Sequence, residues 1–296
     1  MKHREVFGEA RWLSPRGSLD AALFRSEIQI KKEVNKAQIT ICGLGWFILY
    51  INGERVGTDE FVPAYSDYHD RPDMDLVYPL NDEWSHRIYV MKYDVTKYLI
   101  EGKNVLGIML GGGYYHQLER KAEGNMNYGE IKLCYRLEAD GEVFCSNKKD
   151  AVCSSGFFKR SNLFHGETLD FTGFDRGWNT AGGTLIGAEM PLEVVPPRSE
   201  FYFQNCPADR VAETLKPKLV KDFGEYSVYC VERNITGYPV VMCDKAGETV
   251  VMECAENIND DLTLNNWSVG FNEQRQIEKF ITDNVKIYHP YFCWFG

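Results

Sequence analysis

Apolar and polar residues alternate in short runs, and glycine, proline or asparagine turns separate them. Ile39 and Ile41 alternate with Gln38, Thr40 and Cys42, the period-2 pattern of a half-buried strand. Gly43-Leu44-Gly45 breaks the pattern, and Trp46–Ile51 follows as an unbroken run of β-forming side chains. Asn52-Gly53 ends that run. Both residues tolerate the positive φ of a type I′ turn, so a hairpin returning through Arg55-Val56-Gly57 is predicted, with the first domain built around it. Earlier in the chain, Phe24, Ile28 and Ile30 share one face of a strand, with charged and polar positions between them. Tyr89–Tyr93 predicts another strand, and the continuous apolar run Val105–Leu110 a central one. Thr96 caps a single helical turn over Lys97–Ile100, stopped at Gly102. Ile131–Leu137 and Val143-Phe144 form a second hairpin through Asp140-Gly141.

The pattern therefore predicts an all-β protein. Its 296 residues are enough for two domains, and Pro196-Pro197 is a natural linker. The boundaries read as an entry segment at 1–19, a β-sandwich at 20–195 and a second sandwich at 198–296. A net charge of −10 and the lack of a long Lys/Arg run exclude a backbone-binding nucleic-acid protein. Lys148-Lys149 is a solvated turn. No window approaches the ~20 apolar residues of a membrane span. Met1–Val6 has no apolar signal core, which points to a cytoplasmic protein.

Nine cysteines, none in a C-x-x-C, give no support to a zinc ribbon or a redox motif. Cys42, Cys134, Cys230, Cys243 and Cys254 lie in apolar strand-like runs and read as buried, reduced thiols. The six histidines are scattered without metal-ligand spacing. The Asp70–Asp75 loop lacks the order of a dedicated calcium site and reads as a solvated acidic loop. No cofactor or metal is expected. Phosphate-binding and serine-hydrolase motifs are absent.

Several segments, in this order, resemble one family. A strand, a glycine corner, the aromatic strand ending at Asn52-Gly53, Pro63 and Tyr65-Ser-Asp-Tyr68 resemble the N-terminal β-sandwich of bacterial α-L-rhamnosidases. Lys92–Thr96, then Leu99–Leu110 and Gly111-Gly-Gly-Tyr-Tyr115, agree with that order, and Gly166, Glu167, Asp170 and Trp178 match its closing motif in kind and spacing. Arg233–Tyr238, Lys245–Glu256 and Leu262–Asn266 resemble the start of the following sandwich. Two departures stand out: Cys230 replaces a usual Asp, and Leu262 follows Asp261 where a Gly is usual.

The resemblance implies two antiparallel, jelly-roll-like sandwiches, the second incomplete, and no counterpart of the catalytic (α/α) barrel. It implies a non-catalytic accessory region of a glycoside hydrolase, cut short, that positions or binds a rhamnose-containing oligosaccharide or glycoside. The alternatives are a free-standing, lectin-like carbohydrate-binding protein and a hydrolase with an unrecognised site. Sugar recognition needs aromatic platforms and polar grips. Tyr114, Tyr115 and Trp178 are the candidate platforms; Glu167, Asp170 and Asn52 are the candidate grips. No catalytic residue is assigned, because Glu167 and Asp170, three apart on an extended chain, point to opposite faces. The expected partners are that sugar and either the missing catalytic domain or a second copy. The docking edge would be apolar and exposed at Tyr291, Phe292, Trp294 and Phe295.

Overall fold

The Asn52-Gly53 turn forms as its chemistry dictates. φ is 53° at Asn52 and 88° at Gly53, and Tyr50 and Ile51 face Arg55 and Glu54 across it. The computed structural model describes residues 1–66, 68, 87–117, 127–267 and 275–295. The acidic loop Asp70–Asp75 lies outside these. The described residues fold as β-strands, with one helix at His3–Phe7 and one 3-10 turn at Thr96–Tyr98.

The chain divides into two units. The first comprises Met1–Gly156 and Phe174–Asp209, the second Phe157–Gly173 and Arg210–Gly296.

The first unit is a two-sheet β-sandwich. One sheet runs Ala151–Ser154, Ala21–Ile30, Gly102–Gly111, Trp46–Ile51, Glu54–Arg55. The apolar run at 105–110 is thus central, as its double-sided hydrophobicity requires. The other sheet runs Leu192–Val194, Trp12–Ser14, Lys132–Ala139, Ala37–Leu44, Arg87–Asp94, Glu200–Phe203, with Glu142–Cys145 alongside Lys132–Ala139. The glycine corner at 43–45 carries the chain from one sheet to the other. A Cβ on Gly45 would lie 2.0 Å from the Gly112 carbonyl oxygen, so only glycine fits that crossing.

Between the sheets, Ile39, Ile41, Leu133 and Leu137 pack against Phe24, Leu49, Leu106 and Ile108. The opposite phase of the second sheet is buried too. Cys42, Leu44, Cys134, Ile88 and Val90 form a second cluster with Val6, Phe7, Trp12 and Phe201. Residues 1–19 are therefore part of the sandwich and not an entry segment. Trp12 and Leu13 are fully buried, and the His3–Phe7 helix supplies cover.

The second unit is built on a four-stranded sheet in the order Phe158–Asn162, Gly166–Asp170, Gln276–Ile281, Thr249–Cys254. Gly166–Asp170 and Gln276–Ile281 pair in parallel, so the sheet is mixed. Among the described residues, the unit also has three two-stranded ribbons. The expected boundary at 195/198 is thus displaced. The 158–170 hairpin joins the second unit, where Phe157, Phe158 and Phe171 pack with Phe292, Tyr291 and Tyr288. Past the prolines, Glu200–Phe203 returns to the first unit as a parallel edge strand beside Arg87–Asp94.

The C-terminal aromatics are not an open edge. Phe292 and Phe295 are buried, and Tyr291 and Trp294 are half-buried, because these rings complete the second unit's own core. The exposed apolar side chains of this unit lie elsewhere, with Met242 81%, Trp267 64% and Ile287 54% exposed. The thiols also divide. Cys42, Cys134, Cys153 and Cys293 are buried, but Cys230 is exposed and Cys243 half-buried, since short two-stranded ribbons cover only part of each strand.

Leu262, the departure from the usual glycine after Asp261, takes the left-handed conformation with φ 70°. It sits in a turn held by Asp261 Oδ1, which accepts from the Thr263 N–H and hydroxyl at 3.0 and 2.6 Å. A leucine there costs about 1–2 kcal/mol of backbone strain. Leu262→Gly should therefore stabilise the second unit by about 0.5–1 kcal/mol after the added chain entropy of glycine. A denaturation midpoint that falls would show that the leucine side chain contributes more than its backbone costs.

Candidate functional site

Gly111–Gly113 ends the central strand of the five-stranded sheet and delivers Tyr114 and Tyr115 to its rim. A Cβ on Gly113 would lie 2.9 Å from the Trp46 ring, so the loop closes tightly over Trp46. The result is a chain of rings. Trp46 meets Phe61 at 4.9 Å and the edge of Tyr114 at 5.6 Å. Tyr114 meets Tyr65 at 5.0 Å, and Tyr65 meets Tyr68 at 5.6 Å. Tyr68 in turn contacts Tyr115 and Tyr128 at 5.2 and 5.3 Å. These tilted and edge-on contacts suit the ring quadrupoles and fix the rings in place.

Only part of this cluster is open. Tyr65 is 45% exposed and Tyr114 half-buried, whereas Tyr115 is 4% exposed. Burial pushes the Tyr115 hydroxyl up to about 12, so it stays neutral. The accessible platform is therefore Tyr65 with Tyr114. In the sequence Tyr65 is a loop aromatic after Pro63; its pairing with Tyr114 joins residues 49 positions apart.

The other candidate residues are placed differently. Trp178 is 2% exposed, with its ring over Gly107, where a Cβ would lie 3.1 Å from it. Asn52 is fully engaged. Its Nδ2 donates to the Tyr98 carbonyl at 2.9 Å and to Asn104 Oδ1 at 2.8 Å, while its Oδ1 accepts from the Val105 N–H at 2.9 Å. Glu167 and Asp170 belong to the second unit. Asp170 is half-buried, accepts from the Thr172 N–H at 3.0 Å and lies 3.9 Å from Lys159 Nζ. Of the six, the aromatic cluster brings together Tyr114 and Tyr115.

Glu167 has an acidic neighbour that sequence reasoning missed. Glu278, on the adjacent parallel strand, is also fully buried, and its Oε2 accepts the Glu167 backbone N–H at 3.0 Å. Glu167 accepts from the Ser161 hydroxyl and from the Tyr291 N–H, both at 2.5 Å. The Cys293 thiol donates to Glu278 Oε1 at 2.7 Å. Burial drives both carboxyls upward, and the Glu167 charge adds to the shift at Glu278.

The ligand-type atoms of Glu167, Glu278 and Cys293 lie within 4.8 Å of one another, but all three side chains are occupied by internal hydrogen bonds. Nor does this pair fit glycoside hydrolysis by inversion. That reaction needs acids ~6.5–9.5 Å apart with room for sugar and water between them. Among the described residues, no helix is long and apolar enough to cross a membrane.

Comparison with known proteins agrees with this architecture. The family model for the α-L-rhamnosidase N-terminal domain matches residues 32–213. An α-L-rhamnosidase of Formosa agariphila is 26% identical over 302 residues, covering 93% of this chain and 29% of that protein. The chain thus spans under a third of the length of that curated relative. Among solved structures, the α-L-rhamnosidase from Dictyoglumus thermophilum superposes with a TM-score of 0.79 at 25% identity, covering all of this chain and 34% of that one. The Streptomyces avermitilis α-L-rhamnosidase, solved in complex with L-rhamnose, shares the fold with a TM-score of 0.81 at 24% identity, covering 94% of this chain and 26% of that one. With more than half of its residues inside that match, this chain belongs to the α-L-rhamnosidase N-terminal domain family.

Proposed function

We propose that this chain is a non-catalytic accessory region of an α-L-rhamnosidase-like glycoside hydrolase, and that it binds or positions rhamnose-containing glycans. The observation that carries this reading is the accessible Tyr65–Tyr114 surface at the rim of the first sandwich. A 6-deoxy sugar has an apolar methyl group and an apolar ring face, and both gain from burial against aromatic rings. The relatives are named α-L-rhamnosidases, which favours rhamnose over other deoxy sugars.

Calorimetric or NMR titration of the full chain with L-rhamnose and a rhamnosyl glycoside tests this. Binding in the millimolar-to-micromolar range is expected, and Tyr114→Ala should weaken it about tenfold, the equivalent of ~1.4 kcal/mol. Absence of binding, or equal affinity in Tyr114→Ala, would refute the proposal. Turnover of an aryl rhamnoside by this chain would refute its non-catalytic part.

A second reading, a free-standing lectin-like module, is favoured by one feature. The rings of Phe292 and Phe295 are buried within the second unit and do not form an exposed apolar edge. Analytical ultracentrifugation separates the two readings. A monodisperse monomer that binds sugar supports the free-standing module, and self-association through apolar surface supports an incomplete assembly.

A further inference from the structure

We infer that Glu167 and Glu278 form a proton-dependent latch for the segment Tyr291–Phe295: protonation of the pair holds the segment against the second unit's sheet, and loss of the pair's last proton releases the segment. The latch is visible in the hydrogen bonds. Glu167 lies on the strand Gly166–Asp170 and Glu278 on the parallel strand Gln276–Ile281, so pairing fixes both acids. The segment reaches them through the Tyr291 N–H at 2.5 Å and the Phe292 N–H, both donating to Glu167, and through the Cys293 thiol on Glu278. A further backbone anchor is the bridge between Phe295 and Gly237, at 2.7 and 2.8 Å.

Glu167 accepts from three donors, the Ser161 hydroxyl and two backbone N–H groups, whereas Glu278 accepts from one backbone N–H and a weakly donating thiol. Glu167 is therefore the carboxyl that ionises first, and Glu278 holds the last proton. The facing groups from other elements are Ser161 on Phe158–Asn162, Cys254 on Thr249–Cys254 and Cys293 on the segment itself. Burial pushes both thiols upward, so neither supplies charge, and among the described residues no cation acts on the pair. Two adjacent anions in this dry core would repel strongly. The segment is tied to the acids by these hydrogen bonds, so its displacement admits water to them without breaking the parallel pairing of the two acid-bearing strands.

In the unfolded chain both carboxyls titrate near 4.5; in the fold, Glu167 is pushed up to about 7 and Glu278 to about 8. The folded unit binds more protons than the unfolded one across that interval. The stabilisation is complete below 4.5 and is lost as pH rises through the folded values.

Hydrogen exchange of the full chain, corrected for intrinsic chemistry, tests the latch. Between about pH 6 and about pH 8.5, amides of residues 287–295 should lose at least about tenfold protection, while the strand Gly102–Gly111 of the first unit stays constant. Glu278→Gln should abolish the pH dependence and keep the low-pH protection. Independently of any variant, the wild-type infrared spectrum should show a buried carboxylic-acid carbonyl band that disappears over the same range. Protection in the wild type that ignores pH, a missing carbonyl band, or a Glu278→Gln protein that still responds to pH would each overturn the inference.

Discussion

Arg25→Ala should lower the stability of the first unit by about 3–5 kcal/mol, because it strips a charged donor from several buried or part-buried carbonyls at roughly 1–3 kcal/mol each. Arg25 is 8% exposed on the Ala21–Ile30 strand. Its guanidinium gathers a distant loop: Nε donates to the Trp178 carbonyl at 2.8 Å, and Nη2 to the Thr180 carbonyl at 3.0 Å and the Gly183 carbonyl at 3.4 Å. Nη1 donates to Glu27 Oε1 at 2.7 Å, and Lys103 approaches the other oxygen of Glu27 at 2.7 Å. Alanine removes this donor from the Trp178 and Gly183 carbonyls and leaves the Thr180 carbonyl with the Gly183 N–H alone. At 2–4 °C per kcal/mol for a unit of this size, the first calorimetric transition should fall by about 10 °C. Arg25→Lys should recover little, because one ammonium cannot span three carbonyls. A transition unchanged in Arg25→Ala would show that the loop is held by Trp178 packing alone.

Gly166→Ala should be comparably severe in the second unit. Gly166 has φ 88°, and a Cβ there would lie 2.1 Å from the Ile277 carbonyl oxygen and 2.9 Å from Glu278 Oε1. The nearest neighbours are backbone and a buried carboxylate, so neither can turn aside. Positive φ costs an alanine about 1–2 kcal/mol, and forcing the parallel strands apart adds at least as much. A loss on the order of 4 kcal/mol is expected, confined to the second transition. Far-UV circular dichroism and calorimetry read it directly, and a loss below about 1 kcal/mol would mean that the two strands are free to separate there.

Local chemistry made much of the fold legible. Asn52-Gly53 and Asp140-Gly141 have the φ values that their turns need, and the run at 105–110 is central because both of its faces are apolar. What escaped detection depends on partners far along the chain. Arg25 occupies a polar phase of its strand, and the residues that bury it lie about 150 positions later. Glu278 sits in a strand of mixed character, and only its pairing with Gly166–Asp170 sets it beside Glu167. The hairpin at 158–170 has the same alternation whichever sheet receives it. Of the candidate site, Tyr114 was legible from the glycines before it. The burial of Trp178 was not, because it depends on the absent side chain of Gly107.

The placement of residues 157–173 in the second unit bears on biosynthesis. The polypeptide crosses between units three times, at 156/157, 173/174 and 209/210. During translation the hairpin Phe158–Asp170 emerges some hundred residues ahead of its partner strand Gln276–Ile281. Its pairing edge must wait unsatisfied on the ribosome, exposed to chaperones and to other nascent chains. Gene fusions or excisions that cut at the proline pair would strand that edge permanently.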